Sequence, residues 1–379
     1  MIDHQVEKSF IHYFSFLPDP RVVNDNTRHL LIDIITICIC GIICKCETWE
    51  DIADFGESRE KFFKTFLSLP HGIPSHDTFR RVFMLIDPKK FNECFMAWTQ
   101  SIGQKVSKEV IAIDGKAARG SSFPSHGQRA IHMVSAWATE RSLVLGQLKV
   151  DDKSNEITAI PELLNSMDIS DTIITIDAMG TQTEIAKTII QKKADYVLSL
   201  KKNQGSFYER VEEAFKKGLE TDFKNMDYSF HQTREANHGR QEERNCFVLN
   251  DVKFLNRSEE WAGFSSIGLV ESIVTRNDEV TIEKRYFISS LKTDAKDFGA
   301  AVRKHWGVEN NLHWVLDVQF KDDACLKKEK NSAANFSSLK RAALNLIKSV
   351  DKKFKIKKKM ILATYDDQYL LKILMGDCG

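Results

Sequence analysis

The first hundred residues carry apolar positions spaced three and four apart, the spacing of one helix face. Leu30 to Cys38 and Phe62 to Phe66 both follow this spacing. Turn signals interrupt it at Pro18-Asp19-Pro20 and at Gly72-Ile73-Pro74-Ser75. We therefore predict a small helical domain over residues 1–107.

Residues 108–204 alternate between short β-branched runs and helical spacing. The predicted strands are 110–114, about 130–138, 142–150, 172–177 and 195–200, and the predicted helices are about 155–166 and 181–193. Three successive strands followed by β-α units indicate a mixed sheet with helices on both faces. The pattern predicts an α/β fold whose first part spans residues 108–204.

The rest of the chain divides at about residue 280. Residues 205–280 read as an inserted β-rich segment, with a helix at 207–217 and strand-like pieces at 245–249 and 266–275. Residues 281–379 begin with a strand at 286–290 and continue with a helical region from about 296 to 318. We expect this last part to complete the sheet domain.

Two of the predicted buried strands end in an acid. Asp114 follows Val110 to Ile113, and Asp177 follows Thr172 to Ile176. A capping-box pattern at 181–184 gives the next helix its own start signal, so Asp177 is not needed as the cap, although a turn aspartate remains an alternative. Groups at neighbouring strand ends gather at one edge of a sheet. Two carboxylates there would repel unless a hard cation such as Mg²⁺ lay between them.

A third acid, Glu309, falls on the predicted apolar face of the late helix. That face runs through Phe298, Val302 and Trp306 to position 309 and then Leu312. A carboxylate on a core-facing position repeats the anomaly of Asp114 and Asp177, and a shared metal would resolve it. The alternative is that Gly307 and its polar neighbours turn Glu309 into solvent. The competing acids are Asp317, Asp322 and Asp323.

Composition is that of an ordinary globular chain. Of 379 residues, 42% are apolar and 28% charged, and the formal net charge is +1, so any basic surface must be local. The apolar stretch Leu30 to Cys44 contains Asp33 and is too short to span a bilayer, and the first ten residues lack the pattern of a signal peptide. We expect a cytoplasmic protein with no membrane contact and reduced core cysteines.

Cationic side chains cluster locally. Four of them follow predicted strand ends and could meet phosphate, with plain solubilising surface as the alternative: Lys116, Arg119, Lys201 and Lys202. Arg240 and Arg244 lie in an alternating stretch, His238 to Arg244, where they could contact DNA or simply pair with Glu242. Residues 351–359 hold six lysines, a pattern typical of a nucleic-acid contact or of a solvated helix face.

Several motifs, in order along the chain, resemble the ISAs1-family insertion-sequence transposases and the related H-repeat-associated proteins. They are Asp19-Pro20-Arg21, Gly72-Ile73-Pro74-Ser75, Ala112-Ile113-Asp114-Gly115-Lys116, Lys153-Ser154-Asn155-Glu156-Ile157, Thr175-Ile176-Asp177-Ala178, His238-Gly239-Arg240 and the stretch from Arg303 to Asp317. The family implies an RNase H-like core with a DDE triad. Asp114, Asp177 and Glu309 occupy the matching positions.

The resemblance implies a substrate and a cofactor. It implies double-stranded DNA, as terminal inverted repeats and target DNA, and two Mg²⁺ ions, with Mn²⁺ as an alternative. A homodimer on DNA fits the same picture. The wider IS4-like group carries a Tyr-x2-Arg-x3-Glu-x6-Lys signature, of which only the Glu is present here: Val302, His305 and Leu316 stand at the other three positions. Arg303 and His305 could still reach a backbone oxygen from this helix.

The sequence therefore predicts a transposase that cleaves and joins DNA. The N-terminal domain is expected to assist DNA or partner binding without catalysis. A catalytically silent DNA-binding protein is one alternative, although all three acids are present; a metal-dependent nuclease that never joins strands is another. No G-x-S-x-G, G-x4-G-K-[ST] or H-E-x-x-H motif supports a different chemistry.

Overall fold

The computed structural model describes residues 9–376 except 23, 25–26, 104–105, 151–154, 238–239, 256–257, 278 and 293. In the described part of the chain, six helices precede the sheet: α1 Phe10–Phe14, α2 Leu31–Ile43, α3 Trp49–Ser58, α4 Glu60–Phe63, α5 His76–Leu85 and α6 Pro88–Ile102. Local sequence explains where they begin. Thr48 and Asp51 form a reciprocal capping box on α3, and the Ser75 hydroxyl accepts from the Thr78 N–H to cap α5.

A mixed nine-stranded sheet forms the centre of the molecule. Its strands are β1 Val110–Ala118, β2 Ile131–Ala138, β3 Leu143–Lys149, β4 Ile173–Ile176, β5 Asp195–Leu200, β6 Tyr228–Asn237, β7 Arg240–Leu249, β8 Ser266–Arg276 and β9 Glu279–Ser289. The spatial order is β3-β2-β1-β4-β5-β9-β8-β7-β6. Among neighbouring strands, the pairs β1–β4 and β4–β5 are parallel and the other six are antiparallel.

The remaining helices flank this sheet: α7 Glu156–Asn165, α8 Thr183–Gln191, α9 Ser206–Glu220, α10 Ala295–His305, α11 Trp314–Phe320, α12 Lys330–Ser349, α13 Ile356–Tyr365 and α14 Asp367–Met375. A π-helical turn, Glu309–His313, joins α10 to α11. Short 3-10 turns lie at 119–121, 124–126, 202–204 and 258–260. The predicted α/β fold, a mixed sheet flanked by helices with an N-terminal helical region, is confirmed.

The N-terminal and C-terminal helices share one hydrophobic core that runs from Phe10 to Leu374. Helix α12 packs against α2, α5 and α6, and Asn335 on α12 donates to the carbonyls of Phe83 and Ile86 at the end of α5. Cys38 and Cys40 are buried free thiols in this core, as expected. Among the described residues, the helices lack the combination of length and hydropathy that crossing a bilayer requires.

Three element predictions are wrong in detail. β1 does not end at Asp114 but continues to Ala118, because it goes on pairing with β2 after its pairing with β4 stops. The capping box predicted at 181–184 does not form: Gln182 is the N-cap residue without a side-chain bond, and the Thr181 hydroxyl donates to the carbonyl of Ser199 at 2.6 Å. The strand pieces predicted after residue 240 are parts of longer strands.

Candidate active site

The register of the parallel strands brings Asp114 and Asp177 together. Ile113 of β1 is paired with Ile176 of β4 in the last matched position, and each acid is the next residue. Neighbouring strands lie about 4.8 Å apart, so the two aspartates leave the sheet side by side. Both line one cleft, of about 620 Å³, between β4, β5, β9 and α10.

Asp114 is largely buried, with 23% of its side chain exposed. Its Oδ1 accepts from the Gly115 N–H at 2.9 Å, and its Oδ2 lies 3.5 Å from Nδ1 of His313. Burial raises the pKa of Asp114 to about 7, and the negative charges of Asp177, Glu156 and Glu309 act in the same direction. Asp114 therefore lies in a locally acidic environment in which the described residues supply no compensating cation.

Asp177 forms a turn with the backbone that follows it. Its Oδ1 accepts from the N–H groups of Met179 at 3.1 Å and Gly180 at 3.4 Å. This is the turn aspartate that the sequence left as an alternative. Its second carboxylate oxygen has no hydrogen-bond donor among the described residues, so the turn role and a ligand role are compatible.

Glu309 lines the same cleft but is not on the buried face that the sequence predicted. Helix α10 ends at His305, the π-helical turn begins at Glu309, and Val308 between them lies in the core instead. The glutamate is exposed at the cleft and has no ion-pair partner among the described residues. The face prediction is wrong because the helix is interrupted at Trp306, and the alternative with Glu309 in solvent is the one observed.

Each of the three competing acids forms an ion pair with a lysine or arginine side chain. Asp317 and Asp323 approach the Lys116 ammonium, with nearest oxygens at 2.7 and 3.2 Å. Asp322 is buried beside Lys340 and Arg341, at 3.3 and 3.7 Å, and their charges lower its pKa against the opposing effect of burial. These pairs favour Glu309 over the three aspartates as the third carboxylate of the cleft.

Two histidines lie beside the acids and are neutral at physiological pH. Burial lowers the pKa of His305 to about 4 and that of His313 to about 3, and the charges of Arg341 and Lys116 also disfavour the protonated form of His313. Nδ1 of His305 lies 2.9 Å from the Thr175 hydroxyl on β4. His305 thus lines the cleft as a fixed, uncharged hydrogen-bonding group.

The predicted phosphate-binding residues fall into two groups. Lys201 and Lys202 are exposed and line the cleft, and Arg119 is 84% exposed outside it. Lys116 is only 9% exposed and held between Asp317 and Asp323, so contact with phosphate would require both ion pairs to open. Arg303 is exposed but pairs with Glu235 at 3.3 Å.

The arginines of β7 adopt the internally paired arrangement. Arg244 is 12% exposed and contacts Glu242 at 2.6 Å and Glu235 at 3.1 Å. Arg240 contacts the same Glu242 at 3.1 Å but is 52% exposed. His238 and Gly239, which belong to the same predicted stretch, lie outside the described residues. Of the two arginines, Arg240 has the more exposed side chain.

The pair formed by His132 and Glu156 was not predicted from the sequence. Nε2 of His132 and Oε1 of Glu156 lie 2.5 Å apart, next to Gly115. A Cβ at residue 115 would collide with both atoms, which explains the glycine after the acid. The signal was present in Glu156, the first residue of α7, but nothing local indicated that α7 packs near Asp114.

The donor chemistry of the cleft fits a hard divalent cation. Asp114, Asp177 and Glu309 all line it, and the charges of Asp177 and Glu309 contribute to the raised pKa of Asp114. Over the described part of the chain, no three His, Cys, Asp or Glu side chains are close enough to form a ready-made metal site.

The chain is similar to known transposases over nearly its whole length. The family model "Transposase DDE domain" matches residues 105–346, and the model "DDE_Tnp_1-associated" matches residues 11–99. The "H repeat-associated putative transposase YhhI" of Escherichia coli (strain K12) is 40% identical over 97% of this chain and 98% of the relative. The "Putative transposase YncI" of Escherichia coli O157:H7 is 40% identical over 97% of this chain and 94% of the relative.

One solved structure, a piggyBac transposase synaptic complex with hairpin DNA, aligns with 99% of this chain and 80% of its own. The TM-score is 0.43 and the identity 14%, a likeness too low to carry an argument about the site. The family models together account for the N-terminal helices and most of the sheet domain. The chain belongs to the DDE transposase family, as a relative of the H-repeat-associated transposases.

Proposed function

We propose that this chain cleaves the ends of an insertion-sequence element at terminal inverted repeats and transfers the strands to target DNA. In this proposal Asp114, Asp177 and Glu309 form the catalytic triad. The observation that carries it is the β1–β4 register, which sets Asp114 and Asp177 side by side at a cleft that Glu309 also lines.

The three carboxylates would hold two Mg²⁺ ions, or Mn²⁺ in their place. Such a pair, when bound, supplies Lewis acidity at the phosphate and lowers the pKa of an attacking hydroxyl. The carboxylate oxygens are the hard ligands such ions prefer. The acidic environment of Asp114 supports this assignment, because the repulsion there falls when a cation is bound.

The chain's own side chains would orient the DNA. Lys201 and Lys202 line the cleft with exposed ammonium groups, where they can meet phosphate oxygens. His305 is neutral and can exchange a hydrogen bond with a phosphate or sugar oxygen without adding charge. The Arg285 guanidinium lies 3.9 Å from the centre of the Trp306 ring, but Glu283 pairs with it at 2.8 Å, so we assign it no direct contact with phosphate.

The nucleophile decides whether DNA is cut or joined. A water molecule attacking the phosphorus nicks the strand, whereas a DNA 3′-hydroxyl at the same position joins two strands. One cleft can therefore serve both steps, with two copies of the chain, one for each element end, as the simplest assembly. An assay must report cutting and joining separately.

The test uses purified protein, Mg²⁺ and duplex DNA carrying an element end. We expect cutting and joining by the unaltered chain, and a loss of about a hundredfold or more in Asp114→Asn, Asp177→Asn and Glu309→Gln, because each loses a charged ligand while keeping its size. Binding of DNA should stay within a few-fold. The matched control is Glu283→Gln, since Glu283 lines the same cleft but pairs with Arg285 at 2.8 Å. Full activity in any of the three triad variants, or binding without cutting by the unaltered chain, would contradict the proposal.

A further inference from the structure

A segment near the C-terminus presents lysines that the described part of the chain does not neutralise. Lys352, Lys353, Lys355, Lys357 and Lys358 are all exposed, and within the described residues none makes an ion pair or a side-chain hydrogen bond. The nearest acid in sequence, Asp351, is paired with Lys372 at 3.2 Å. Five positive charges within seven residues therefore remain unpaired.

The sixth lysine fixes the position of this segment. Lys359 is 3% exposed, and its ammonium donates to the carbonyls of Ile347, at 2.8 Å, and Val350 at the end of α12. This contact satisfies carbonyls left open by the helix end. The other five lysines are thereby held on the surface beside α12.

The arrangement of charge is unfavourable without an anion. Lys357 and Lys358 lie in the first turn of α13, which has no acidic residue, so they add to the positive end of the helix dipole. A face that serves solubility alone usually mixes both signs. The segment also lies beyond residue 346, where the match to the transposase domain ends.

A neighbouring groove extends this basic region towards the cleft. The groove is lined by Lys357 of α13, by Lys45 after α2, and by Val318, Gln319 and Lys321 at the end of α11. Lys45 and Lys321 are exposed and, over the described residues, unpaired; Lys340 also lines the groove but is held by Asp322, and Glu47 is the acid that faces it. We call Lys45, Lys321 and the five segment lysines the lysine surface.

Helix α11 connects this surface to the candidate active site. It begins directly after the turn that carries Glu309, and Lys321 follows Glu309 by twelve positions, about 18 Å at 1.5 Å per residue. That span corresponds to about five base pairs of duplex at 3.4 Å each. Trp314 and Val318, 57% and 41% exposed and four residues apart, occupy the outer face between them.

We propose that the lysine surface binds the phosphate backbone of the duplex that continues from the cleavage site, starting about five base pairs away. The proposal rests on the proposed function for its substrate, double-stranded DNA. It assigns a non-catalytic role: the surface holds one arm of the DNA and contributes affinity irrespective of base sequence.

The test compares two variants of equal charge change. The first replaces the five segment lysines with Gln; the control replaces five exposed lysines elsewhere that form no ion pair within the described residues: Lys61, Lys108, Lys193, Lys216 and Lys217. Binding of a duplex carrying an element end is measured without divalent cations at several salt concentrations. Each phosphate contact contributes about 0.9 to the magnitude of the slope of log K against log salt. The slope of the first variant should therefore be smaller by about three to four, and that of the control by less than one.

Duplex length gives the second readout. Two series of duplexes are shortened, one from each side of the cleavage site. In one of the two series, the difference in DNA affinity between the unaltered chain and the segment variant should vanish once the duplex on that side of the cleavage site is shorter than about five base pairs. In the other series the difference should remain. Equal slopes for both variants, or a difference that persists at every arm length in both series, would overturn the proposal.

This outcome is separable from that of the proposed function. Binding without divalent cations does not depend on the triad, and Asp177→Asn should show the same dependence on the segment lysines. With saturating DNA, the segment variant should cut at an unchanged rate. If the unaltered chain cuts DNA but substitution of the segment lysines does not change binding, only this inference is refuted. If the unaltered chain binds no DNA, both are refuted.

Discussion

At the residue scale, the position of Asp114 shows how far sequence reasoning can reach. A β-branched run ending in an acid correctly indicated a buried carboxylate, and two such runs indicated a shared sheet edge. The sequence could not show that His132 and Glu156 lie against Gly115, because those contacts join residues far apart in the chain. Burial and neighbouring charge, which set the pKa of Asp114, depend on tertiary structure alone.

The raised pKa of Asp114 predicts how stability depends on pH without metal. The folded carboxyl holds its proton up to about pH 7, whereas the unfolded one releases it near pH 4. The protonated Asp114 carboxyl therefore contributes fully to the free energy of unfolding below about pH 4. This contribution is lost as the pH rises to about 7, and the loss is on the order of 3–4 kcal/mol. We expect Asp114→Asn to remove this loss.

The measurement is the free energy of unfolding of both proteins from pH 4 to pH 8 in a chelator. The difference between them should grow in favour of Asp114→Asn as the pH rises, and Mg²⁺ should reverse it at pH 8 by stabilising only the unaltered chain. A difference that stays constant with pH would contradict the assignment.

At the element scale, Glu309 lines the cleft, but it does not lie on the buried helix face from which its position was predicted. An uninterrupted α-helical period put it on the buried face, whereas the helix is interrupted at Trp306 and Glu309 is exposed. Helix α12 was missed as a core element because it carries so many polar residues. Its Lys340 and Arg341 are buried and partnered by Asp322, an acid that sequence reasoning considered only as a metal ligand.

This buried cluster should stabilise the fold. Asp322→Ala leaves two buried cations without their counter-ion, and we expect it to lower the free energy of unfolding by about 3–5 kcal/mol. Glu93→Ala is the control, because Glu93 and Lys90 form an ion pair that is more than half exposed and should be worth less than about 1 kcal/mol. Urea unfolding would show the difference; similar small losses in both would refute a stabilising role.

At the scale of the whole molecule, the sequence predicted which segments form helices and strands better than it predicted how distant segments pair and pack. The β-rich segment after residue 205 is joined to the sheet through the pairing of β5 with β9. The N-terminal helices are tied to the C-terminal ones, as by the ion pair of Arg59 with Asp367 at 2.7 Å. Pairing and packing between distant segments leave no local trace in a single sequence.

The shared core predicts that the sheet domain does not fold alone. A fragment of residues 107–379 would expose the surfaces of α12 and α14 that α2 and α5 cover. We expect it to aggregate or to lack a cooperative thermal transition, because that buried apolar area is lost. Co-expression with residues 1–106 as a separate chain should restore a soluble complex. A stable, cooperatively folding fragment would show that the N-terminal helices are an independent unit.

The central claim, that Asp114, Asp177 and Glu309 hold the catalytic ions, is tested most directly by locating Mn²⁺ in crystals of the protein by anomalous scattering. The account predicts a peak in the cleft with oxygens of both aspartates and of Glu309 within about 2.5 Å. A peak coordinated by Asp317 or Asp323 while Glu309 stays remote, or an empty cleft at saturating Mn²⁺, would contradict it.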